Sequence, residues 1–333
     1  MLTDEMSSLL HDPSADADAR WRALFARLMA DGPSLQDMRA AWSAILDFDS
    51  GLRDALADPL PAPGATVIVA GSGKETLKTF NVSTAAALLA AAAGVPVVKG
   101  VSRSVSAVTG SADVLEQLGM PTCLDPAAIA AGLGTHGIAF VPYTSFCRRY
   151  GARYDGVFDQ LTPVSFFAPV TVIAVRARAF VLGLADARVA LADAAITAAR
   201  PDLPAGVIVS AEPVPGRVID EYAAHGVSRM ALRTPDCVRF SEHRRAAASA
   251  EWLAGVAHRA DHAGNAEAVR WCLQPGPVDA ARDLAERNAA LILDASQGFT
   301  LSQADGLAAV QRARQDGRAA ALLADITGNL EAA

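Results

Sequence analysis

The chain has 333 residues, 52% of them hydrophobic, and a formal net charge of −7. A negative chain is a poor partner for nucleic acid, because that binding depends on neutralising phosphates with Lys and Arg. No apolar stretch reaches the roughly 18 residues of a membrane helix, and acidic residues precede the first apolar run, so the cytoplasm is the predicted location.

The first sixty or so residues have the pattern of a small helical layer. Apolar side chains recur at helical spacing over residues 17–32. Ser34 is a suitable N-cap for a second helix, and residues 51–58 predict a third, short one. Prolines at positions 59, 61 and 63 then form a stiff linker.

After this linker, short β-branched runs alternate with helical segments. The predicted strands are residues 66–70, 95–98, 138–141, 170–175, 180–184 and 207–210. The predicted helices are residues 82–93, a segment from Ser111, and residues 186–199, 281–295 and 303–316. This alternation predicts an α/β fold with a mainly parallel central sheet flanked by helices, in which ligands bind at the loops after the strands.

A glycine-rich loop connects the first predicted strand to its helix. Free N–H groups and the positive end of a helix attract anions, and glycines let the backbone approach a phosphate closely. The side-chain donors of this segment are Lys74, Lys78, Asn81, Ser83 and Thr84. A Walker A loop is excluded, because Glu75 stands where Ser or Thr should follow Gly-Lys and Ile68 replaces its first glycine.

A second polar loop runs from Lys99 to Ser111, again between a predicted strand and a predicted helix. Lys99 stands at the strand end in a chain that is poor in Lys, and a lysine at such a place suits a phosphate oxygen. Ser111 is suited both to capping the helix and to donating to a phosphate, and the two roles are compatible.

The two loops resemble the signature segments of anthranilate phosphoribosyltransferases, which run G-T-G-G-D-x-x-x-T-F-N-I-S-T and K-H-G-N-R-S-V-S-S-x-S-G-S-A-D-x-L. The acidic pair Asp220-Glu221, followed five residues on by Gly226, resembles the family's D-E-L-S-x-x-G. Further matches follow in the family's order: Gly264-Asn265-Ala266, Arg287-Asn288-Ala289-Ala290-Leu291 and Gly317-Arg318-Ala319-Ala320. The likeness covers about residues 17–330.

This resemblance implies a small N-terminal helical domain hinged to a large α/β domain. The helical domain is expected over residues 1–62, joined by helices from about residues 145–162 or 186–199, and the α/β donor-binding domain over residues 63–333. The resemblance also implies a homodimeric enzyme that binds phosphoribosyl pyrophosphate and Mg²⁺ in the hinge cleft.

Site residues follow from the matching positions. The implied donor-binding residues are Gly71, Ser72, Gly73, Lys74, Lys78, Thr79, Asn81, Ser83, Thr84, Lys99 and Ser111. The implied metal ligands are Ser83, Asp220, Glu221 and Glu75. Hard oxygen ligands with phosphate suit Mg²⁺, which neutralises the departing pyrophosphate. Because the anomeric carbon becomes oxocarbenium-like, such an enzyme needs positioning and electrostatics more than a strong base.

The departures of the first loop that bear on donor binding are at positions 74, 75 and 78. G-G-D becomes Gly73-Lys74-Glu75, and Lys78 replaces an Asn. A lysine at this position resembles the phosphate-binding lysine of the related pyrimidine nucleoside phosphorylases. The alternatives that stay open are phosphate-dependent nucleoside cleavage, transfer from another sugar phosphate or a nucleotide sugar, and a non-catalytic nucleic-acid-binding relative.

The predicted acceptor site departs further. The His and Asn of K-H-G-N-R, which face the family's acceptor, become Gly100 and Ser102, beside Arg103. On an ungapped register, Ser145 replaces a His and Asp155 replaces the Arg that grips the anthranilate carboxylate. A carboxylate facing a carboxylate is repelled and costly to desolvate. We therefore predict a small neutral or cationic nitrogen or sulfur nucleophile instead of anthranilate, in a specialised pathway.

Other charged residues carry less information. Arginines at positions 148, 149 and 153 lie near enough in sequence to take over the carboxylate-binding role. The six histidines form no catalytic or metal-binding pattern, so His258 and His262 are interpreted as solvated surface residues. The charged run Glu242 to Arg245 predicts a solvated helix or loop.

Overall fold

The computed structural model describes residues 2–103, 109–154 and 158–328. The chain begins with the helices α1 (Leu2–His11), α2 (Ala15–Asp31), α3 (Leu35–Phe48) and α4 (Ser50–Ala57). Ser34 caps α3 as predicted: its Oγ accepts the Asp37 N–H at 3.2 Å, and the Asp37 carboxylate accepts the Ser34 N–H at 2.8 Å. This reciprocal capping box satisfies two backbone donors at the start of the helix.

Helices between and after the strands complete the fold. They are α5 (Val82–Ala92), α6 (Ser111–Leu118), α7 (Pro126–His136), α8 (Arg148–Tyr154), α9 (Ala168–Thr171), α10 (Val189–Ala199), α11 (Ala250–Val256), α12 (His262–Leu273), α13 (Ala280–Ser296), α14 (Gln303–Gln315) and α15 (Arg318–Ile326). Two 3₁₀ turns cover Tyr143–Ser145 and Pro163–Phe166. Across the described ranges, every helix is too short or too polar to cross a membrane.

The described strands form one sheet. They are β1 (Val67–Gly71), β2 (Val97–Val101), β3 (Ile138–Pro142), β4 (Ala179–Gly183), β5 (Gly206–Val214), β6 (Arg217–Ile219), β7 (Val227–Arg233) and β8 (Val238–Arg244). The order is β3-β2-β1-β4-β5-β7-β8, with β6 also paired to β5. Neighbouring strands from β3 to β5 are parallel, and β6, β7 and β8 add antiparallel pairs. The predicted α/β fold with a mainly parallel sheet is confirmed.

Two helical layers bury the two faces of the sheet. Along β1, Val67 and Val69 pack with α5, α12 and α13 on one face, whereas Ile68 and Ala70 pack with the N-terminal helices and α10 on the other. Burial on both faces explains the continuous β-branched run that identified this strand. The division into domains at residue 62 stays a prediction.

The strand predicted over residues 170–175 is wrong. Its start belongs to α9, and only Val175 forms an isolated parallel bridge, to Leu60. The buried Arg200 guanidinium donates to the carbonyls of Thr171, Ile173 and Val175 at 3.3, 2.8 and 3.4 Å. A side chain thus satisfies the backbone acceptors that a neighbouring strand would otherwise have satisfied.

The charged run at Glu242 is also not a helix or loop. It belongs to the edge strand β8, where Glu242 pairs with Arg229 of β7 at 2.9 Å. Cross-strand ion pairs of this kind stabilise an antiparallel edge, so charged side chains are accommodated along a strand that is mostly exposed.

Candidate active site

The carboxyl ends of the parallel strands meet at one edge of the sheet. The strand order reverses at β1, because β2 and β3 lie on one side of it and β4 and β5 on the other. Sheets of this class bind ligands in the crevice at such a reversal. A cavity of about 290 Å³ lies there, lined by the loops after β1, β2 and β3 and by Asp220 and Glu221.

Most of the site residues predicted from sequence line this cavity. The donor residues that line it are Gly71, Ser72, Gly73, Lys74, Thr79, Asn81, Ser83, Lys99 and Ser111, the metal ligands are Ser83, Glu75, Asp220 and Glu221, and the acceptor residues are Ser102 and Arg103. The predicted residue Asp155 lies outside the described residues.

Three predicted residues point elsewhere. Lys78 is absent from the cavity wall, and its Nζ lies 3.7 Å from the Glu75 carboxylate. Thr84 is fully buried in α5. The Ser145 hydroxyl donates to the carbonyl of Cys123 at 3.3 Å and does not line the cavity. Binding roles for these three residues stay predictions from the sequence.

The β1 loop lines the cavity and is held in place by hydrogen bonds. The Ser72 N–H donates to the Gly183 carbonyl and the Ser72 Oγ accepts the Ala185 N–H, both at 2.9 Å, so the loop is fixed to β4. Asn81 precedes α5 without a side-chain cap to its first turn. In the first turn of α5 the Val82 and Thr84 N–H groups donate to the Phe80 and Asn81 carbonyls at 2.6 and 3.1 Å. Anion binding at this helix start stays a prediction that rests on the remaining amides and the positive helix end.

The β2 loop brings Ser102 against the start of α6. The Ser102 N–H donates to the Ser111 Oγ at 3.2 Å, and the Ser102 carbonyl accepts the Ala112 N–H at 3.0 Å. Gly110, not Ser111, is the N-cap, and its N–H donates to the Asp113 carboxylate at 2.8 Å. Ser111 is therefore placed on the cavity wall without being the cap.

Paired glycines allow an acidic segment to enter the sheet edge. Gly71 of β1 and Gly183 of β4 are register partners. A Cβ on Gly183 would lie 1.8 Å from the Asp220 carbonyl oxygen, and one on Gly71 would lie 2.7 Å from Asp220 Oδ2. The Asp220 carboxylate also accepts the Gly73 N–H at 3.0 Å. The close approach of three segments thus requires glycine at both strand ends.

Burial perturbs the acids of this segment. Burial raises the pKa of Glu221 well above its ordinary value, and the carboxylates of Asp220 and Glu75 raise it further. Burial also raises the pKa of Asp220, against the lowering effect of the Gly73 amide and Lys99. The pKa of Glu75 rises to about 7 through burial and the Asp220 charge. Such a group of crowded carboxylates attracts a cation.

The lysines of the chain are concentrated here. Lys74, Lys78 and Lys99 are its only lysines, and all three belong to the two loops. Burial lowers the pKa of Lys99 to about 8, although Asp220 and Glu221 act to raise it, and its Nζ donates to the Gly100 carbonyl at 2.7 Å. At neutral pH this ammonium is therefore still protonated beside the acids.

The donor set fits Mg²⁺ only with help from a ligand. Within the described ranges, no three His, Cys, Asp or Glu side chains converge into a metal centre. The buried Oε2 of Glu221 has no hydrogen-bond partner among these residues. Mg²⁺ usually takes one or two protein carboxylates and completes its octahedron with waters and substrate phosphates. Asp220 and Glu221 match that requirement.

Lys74 adopts a backbone conformation that favours glycine. Its φ is +65°, directly after Gly73 at +59°. Left-handed backbone costs a residue with a Cβ about 1–2 kcal/mol, and such outliers cluster at functional sites. This is the position at which the resembling family has the second glycine of G-G-D.

The opposite side of the cavity is aromatic. Tyr143, Tyr150, Tyr154 and Phe158 line it; the rings of Tyr154 and Phe158 are stacked with centroids 5.8 Å apart. A Cβ on Gly100 would lie 2.7 Å from the Tyr143 ring. Tyr143 therefore occupies the space into which a side chain at position 100 would extend.

The arginines of α8 serve its packing on the N-terminal helices. Arg149 stacks 4.4 Å over the Phe48 ring. Arg153 pairs with Asp18 and donates to the Asp12 carbonyl at 2.6 Å. Neither residue lines the cavity, nor does Arg148. The expectation that one of them takes over carboxylate binding finds no support in these positions.

Sequence reasoning missed Gly183, Tyr143 and His258 at this site. His258 was interpreted as a solvated residue, but it lines the cavity and its Nε2 is buried. His262 is likewise engaged, with Nδ1 2.8 Å from the Thr109 Oγ1. Gly183 could have been found from the sequence, because it lies near the end of the predicted strand 180–184 and ligands bind at the loops after such strands.

Comparisons with known proteins agree with this geometry. Residues 64–320 match the family model described as "Glycosyl transferase family, a/b domain". The chain is 34% identical over 239 residues to an anthranilate phosphoribosyltransferase of Halobacterium salinarum, covering 71% of this chain and 66% of that relative, just under two thirds. It is 36% identical over 288 residues to one of Nocardioides sp., covering 83% and 81%.

A solved structure shows the same fold. The anthranilate phosphoribosyltransferase of Saccharomyces cerevisiae, in complex with PRPP and Mg, superimposes with a TM-score of 0.71 at 18% identity. The match covers 99% of this chain and 94% of the yeast chain.

Replacing Gly183 by Ala tests the close approach at the sheet edge. The new Cβ meets the Asp220 carbonyl, so we expect a loss on the order of 3 kcal/mol in the free energy of unfolding, as for overpacked sites. Urea unfolding measures this. The control Gly134→Ala, with nothing within 4 Å of its Cβ, should unfold at or above the wild-type midpoint, and equal midpoints for the two variants would contradict the assignment.

Replacing Lys74 by Gly should stabilise the fold while weakening anion binding. Relief of about 1–2 kcal/mol of backbone strain exceeds the added unfolded-state entropy of about 0.4–1 kcal/mol. Chemical unfolding and calorimetric titration with inorganic pyrophosphate measure the two effects. Lys74→Ala should lose the binding without the gain in stability; a less stable Lys74→Gly would show that the backbone is unstrained.

Proposed function

The chain belongs to the glycosyl transferase family whose α/β domain matches residues 64–320, and on that premise we propose that it transfers a phosphoribosyl group from phosphoribosyl pyrophosphate, with Mg²⁺, to a small neutral or cationic nitrogen or sulfur nucleophile. The observation that carries the donor assignment is one cavity that joins the two loops predicted to bind phosphate to a buried carboxylate pair. The yeast neighbour that holds PRPP and Mg has the same fold.

The phosphate-binding groups lie on two adjacent strands. The positive end of α5 at Ser83 and the ammonium of Lys74 would bind the pyrophosphate, and Ser111 and Lys99 would bind oxygens on the β2 side. Each of these groups lines the cavity. Donors held by the backbone need no reorganisation when charge develops on the leaving group, which is the main source of catalysis in such a reaction.

Asp220, Glu221 and Ser83 would hold the metal ion. When bound, Mg²⁺ would neutralise charge on the departing pyrophosphate. The chain's own carboxylates contribute by position: Asp220 is fixed by the Gly73 amide at 3.0 Å. Since the cavity supplies positioning and charge, transfer needs only an acceptor held in line with the anomeric carbon.

The acceptor assignment rests on the aromatic side of the cavity. Among the described lining residues of that side, from Tyr143 to Val172, none carries a charged side chain. Arg103, on the β2 side of the cavity, is paired with Asp113 and Glu116 at 3.4 and 3.5 Å. Aromatic faces attract cations and suit flat neutral rings, but they provide no positive charge to balance a carboxylate. A replacement of the family's carboxylate-binding Arg by Asp155 would act in the same direction.

Phosphorolysis is the less supported alternative. It was suggested by Lys78, whose ammonium faces Glu75 at 3.7 Å and does not line the cavity. A homodimer, a cytoplasmic location and a place in a specialised pathway stay predictions from the sequence. Calorimetric titration with phosphoribosyl pyrophosphate, with and without Mg²⁺, tests the donor: binding that depends on metal supports the proposal, and its absence would direct the search to other sugar phosphates.

Asp220→Asn should separate activity from stability. We expect turnover to fall at least about 100-fold, since loss of even a supporting group around a metal costs 10–100-fold. The fold should persist. Because the pKa of Asp220 is raised in the folded state, ionisation of this carboxyl lowers the free energy of unfolding as pH rises through the raised pKa. Asn removes that charge. Pyrophosphate release and urea unfolding at neutral pH measure both. The exposed control Asp236→Asn should change neither, and an active Asp220→Asn would remove the metal role.

A matched pair of acceptors tests the charge preference. Anthranilate and anthranilamide carry the same aromatic amine, but only the first carries a carboxylate. We expect faster pyrophosphate release with anthranilamide, because the described aromatic side holds no cation for a carboxylate. Gly100→His, which displaces the Tyr143 ring, should lower this rate while leaving phosphoribosyl pyrophosphate affinity unchanged. A clear preference for anthranilate in the wild type would overturn the acceptor proposal.

A further inference from the structure

His258 has a buried nitrogen on the cavity wall. It lines the cavity together with Thr79 and Asn81 of the β1 loop. Its Nε2 is buried and has no hydrogen-bond partner in the part of the chain that the structure describes. Buried polar atoms are almost always hydrogen-bonded, so an orphan nitrogen at a cavity needs an explanation. A ligand in the cavity is the simplest one.

The backbone around His258 is fixed to the β1 loop. Its N–H donates to the Lys78 carbonyl at 3.0 Å, and the Phe80 N–H donates to the Val256 carbonyl at 3.0 Å. Between these bonds Thr79 and Ala257 form an antiparallel bridge. The imidazole is therefore carried by the same rigid unit as the groups expected to bind the donor.

Asn265 holds the following turn in place. Its Oδ1 accepts the Arg259 N–H at 3.1 Å, and its Nδ2 donates to the Asp261 carbonyl at 2.7 Å. The Nδ2 also lies 3.4 Å from the Thr109 Oγ1, which belongs to the β2 loop. The backbone segment that carries His258 is thus tied to both loops.

We infer that His258 contacts the donor, with its Nε2 donating to an oxygen of the pyrophosphate group. This inference rests on the proposed phosphoribosyl transfer. The neighbouring wall consists of the glycine-rich loop and the start of α5, which favour an anion. A second orphan atom, Asn81 Oδ1, lies on that wall; as an acceptor it would take a hydroxyl or a cation and not a phosphate oxygen.

The test compares His258→Leu and His258→Gln with the wild type. Calorimetric titrations with Mg²⁺ use three probes: inorganic pyrophosphate, phosphoribosyl pyrophosphate and ribose 5-phosphate. We expect Leu to weaken binding of the first two at least about tenfold, as for loss of a hydrogen bond to a charged group, and to leave ribose 5-phosphate unaffected. Gln should restore most of the affinity, because its amide nitrogen reaches the place of Nε2.

The urea midpoint distinguishes a contact with the ligand from a purely structural role, because loss of a structural role would lower the midpoint. His258→Leu should unfold at the wild-type urea midpoint, since Nε2 has no hydrogen-bond partner among the described residues. His243→Leu, on the exposed side of β8 and away from the cavity, should bind every probe as the wild type does.

The outcomes separate this inference from the proposed function. A wild type that binds neither pyrophosphate nor phosphoribosyl pyrophosphate overturns both. If His258→Leu binds both probes as tightly as the wild type does, the His258 contact alone is overturned. Weakened ribose 5-phosphate binding in the Leu variant would place the contact on the sugar phosphate and overturn the pyrophosphate assignment.

Discussion

The insertion of Asp220 between the ends of two parallel strands is the constraint on which the site depends. Gly71 and Gly183 face each other in register and leave the space for it. The Asp220 carboxylate then accepts a hydrogen bond from the Gly73 N–H. Ser72 donates its N–H to the Gly183 carbonyl and accepts the Ala185 N–H with its Oγ. One missing Cβ on each strand thus fixes the glycine-rich loop, the acidic pair and the sheet edge relative to one another.

This arrangement lowers stability in exchange for a charged cavity. Burial and mutual repulsion raise the pKa values of Glu75, Asp220 and Glu221, and burial lowers that of Lys99. Each of these pKa shifts corresponds to a loss in the free energy of unfolding when the charged form is buried away from water. The left-handed Lys74 adds backbone strain at the same place. A cation and an anionic donor would offset these terms together, which explains why opposite charges are crowded into one small volume.

The sequence pattern predicted strands and loops that are determined by neighbouring residues. It failed for features that depend on contacts between segments far apart in the chain. The buried strands β1 to β5 and the loop Gly71 to Thr84 were found because β-branched runs and glycine-rich turns act within a few residues. The edge strand at Glu242 was missed because its charges suit solvent in any conformation. His258 was missed because only the bridge between Thr79 and Ala257, far apart in sequence, brings it to the cavity.

The two halves of the cavity are supported by different parts of the fold. Donor groups are fixed by β1, β2 and β4, whose hydrogen bonds belong to the sheet. The tyrosines on the other side belong to a 3₁₀ turn and α8. In α8 the Tyr154 hydroxyl donates to the Leu9 carbonyl at 3.2 Å and the Tyr150 N–H donates to Asp49 at 2.9 Å. Their positions therefore depend on the N-terminal helices. Because the supports are separate, the acceptor side can change its charge and shape while the donor side keeps its geometry, and Tyr143 packed on Gly100 is where such a change is visible.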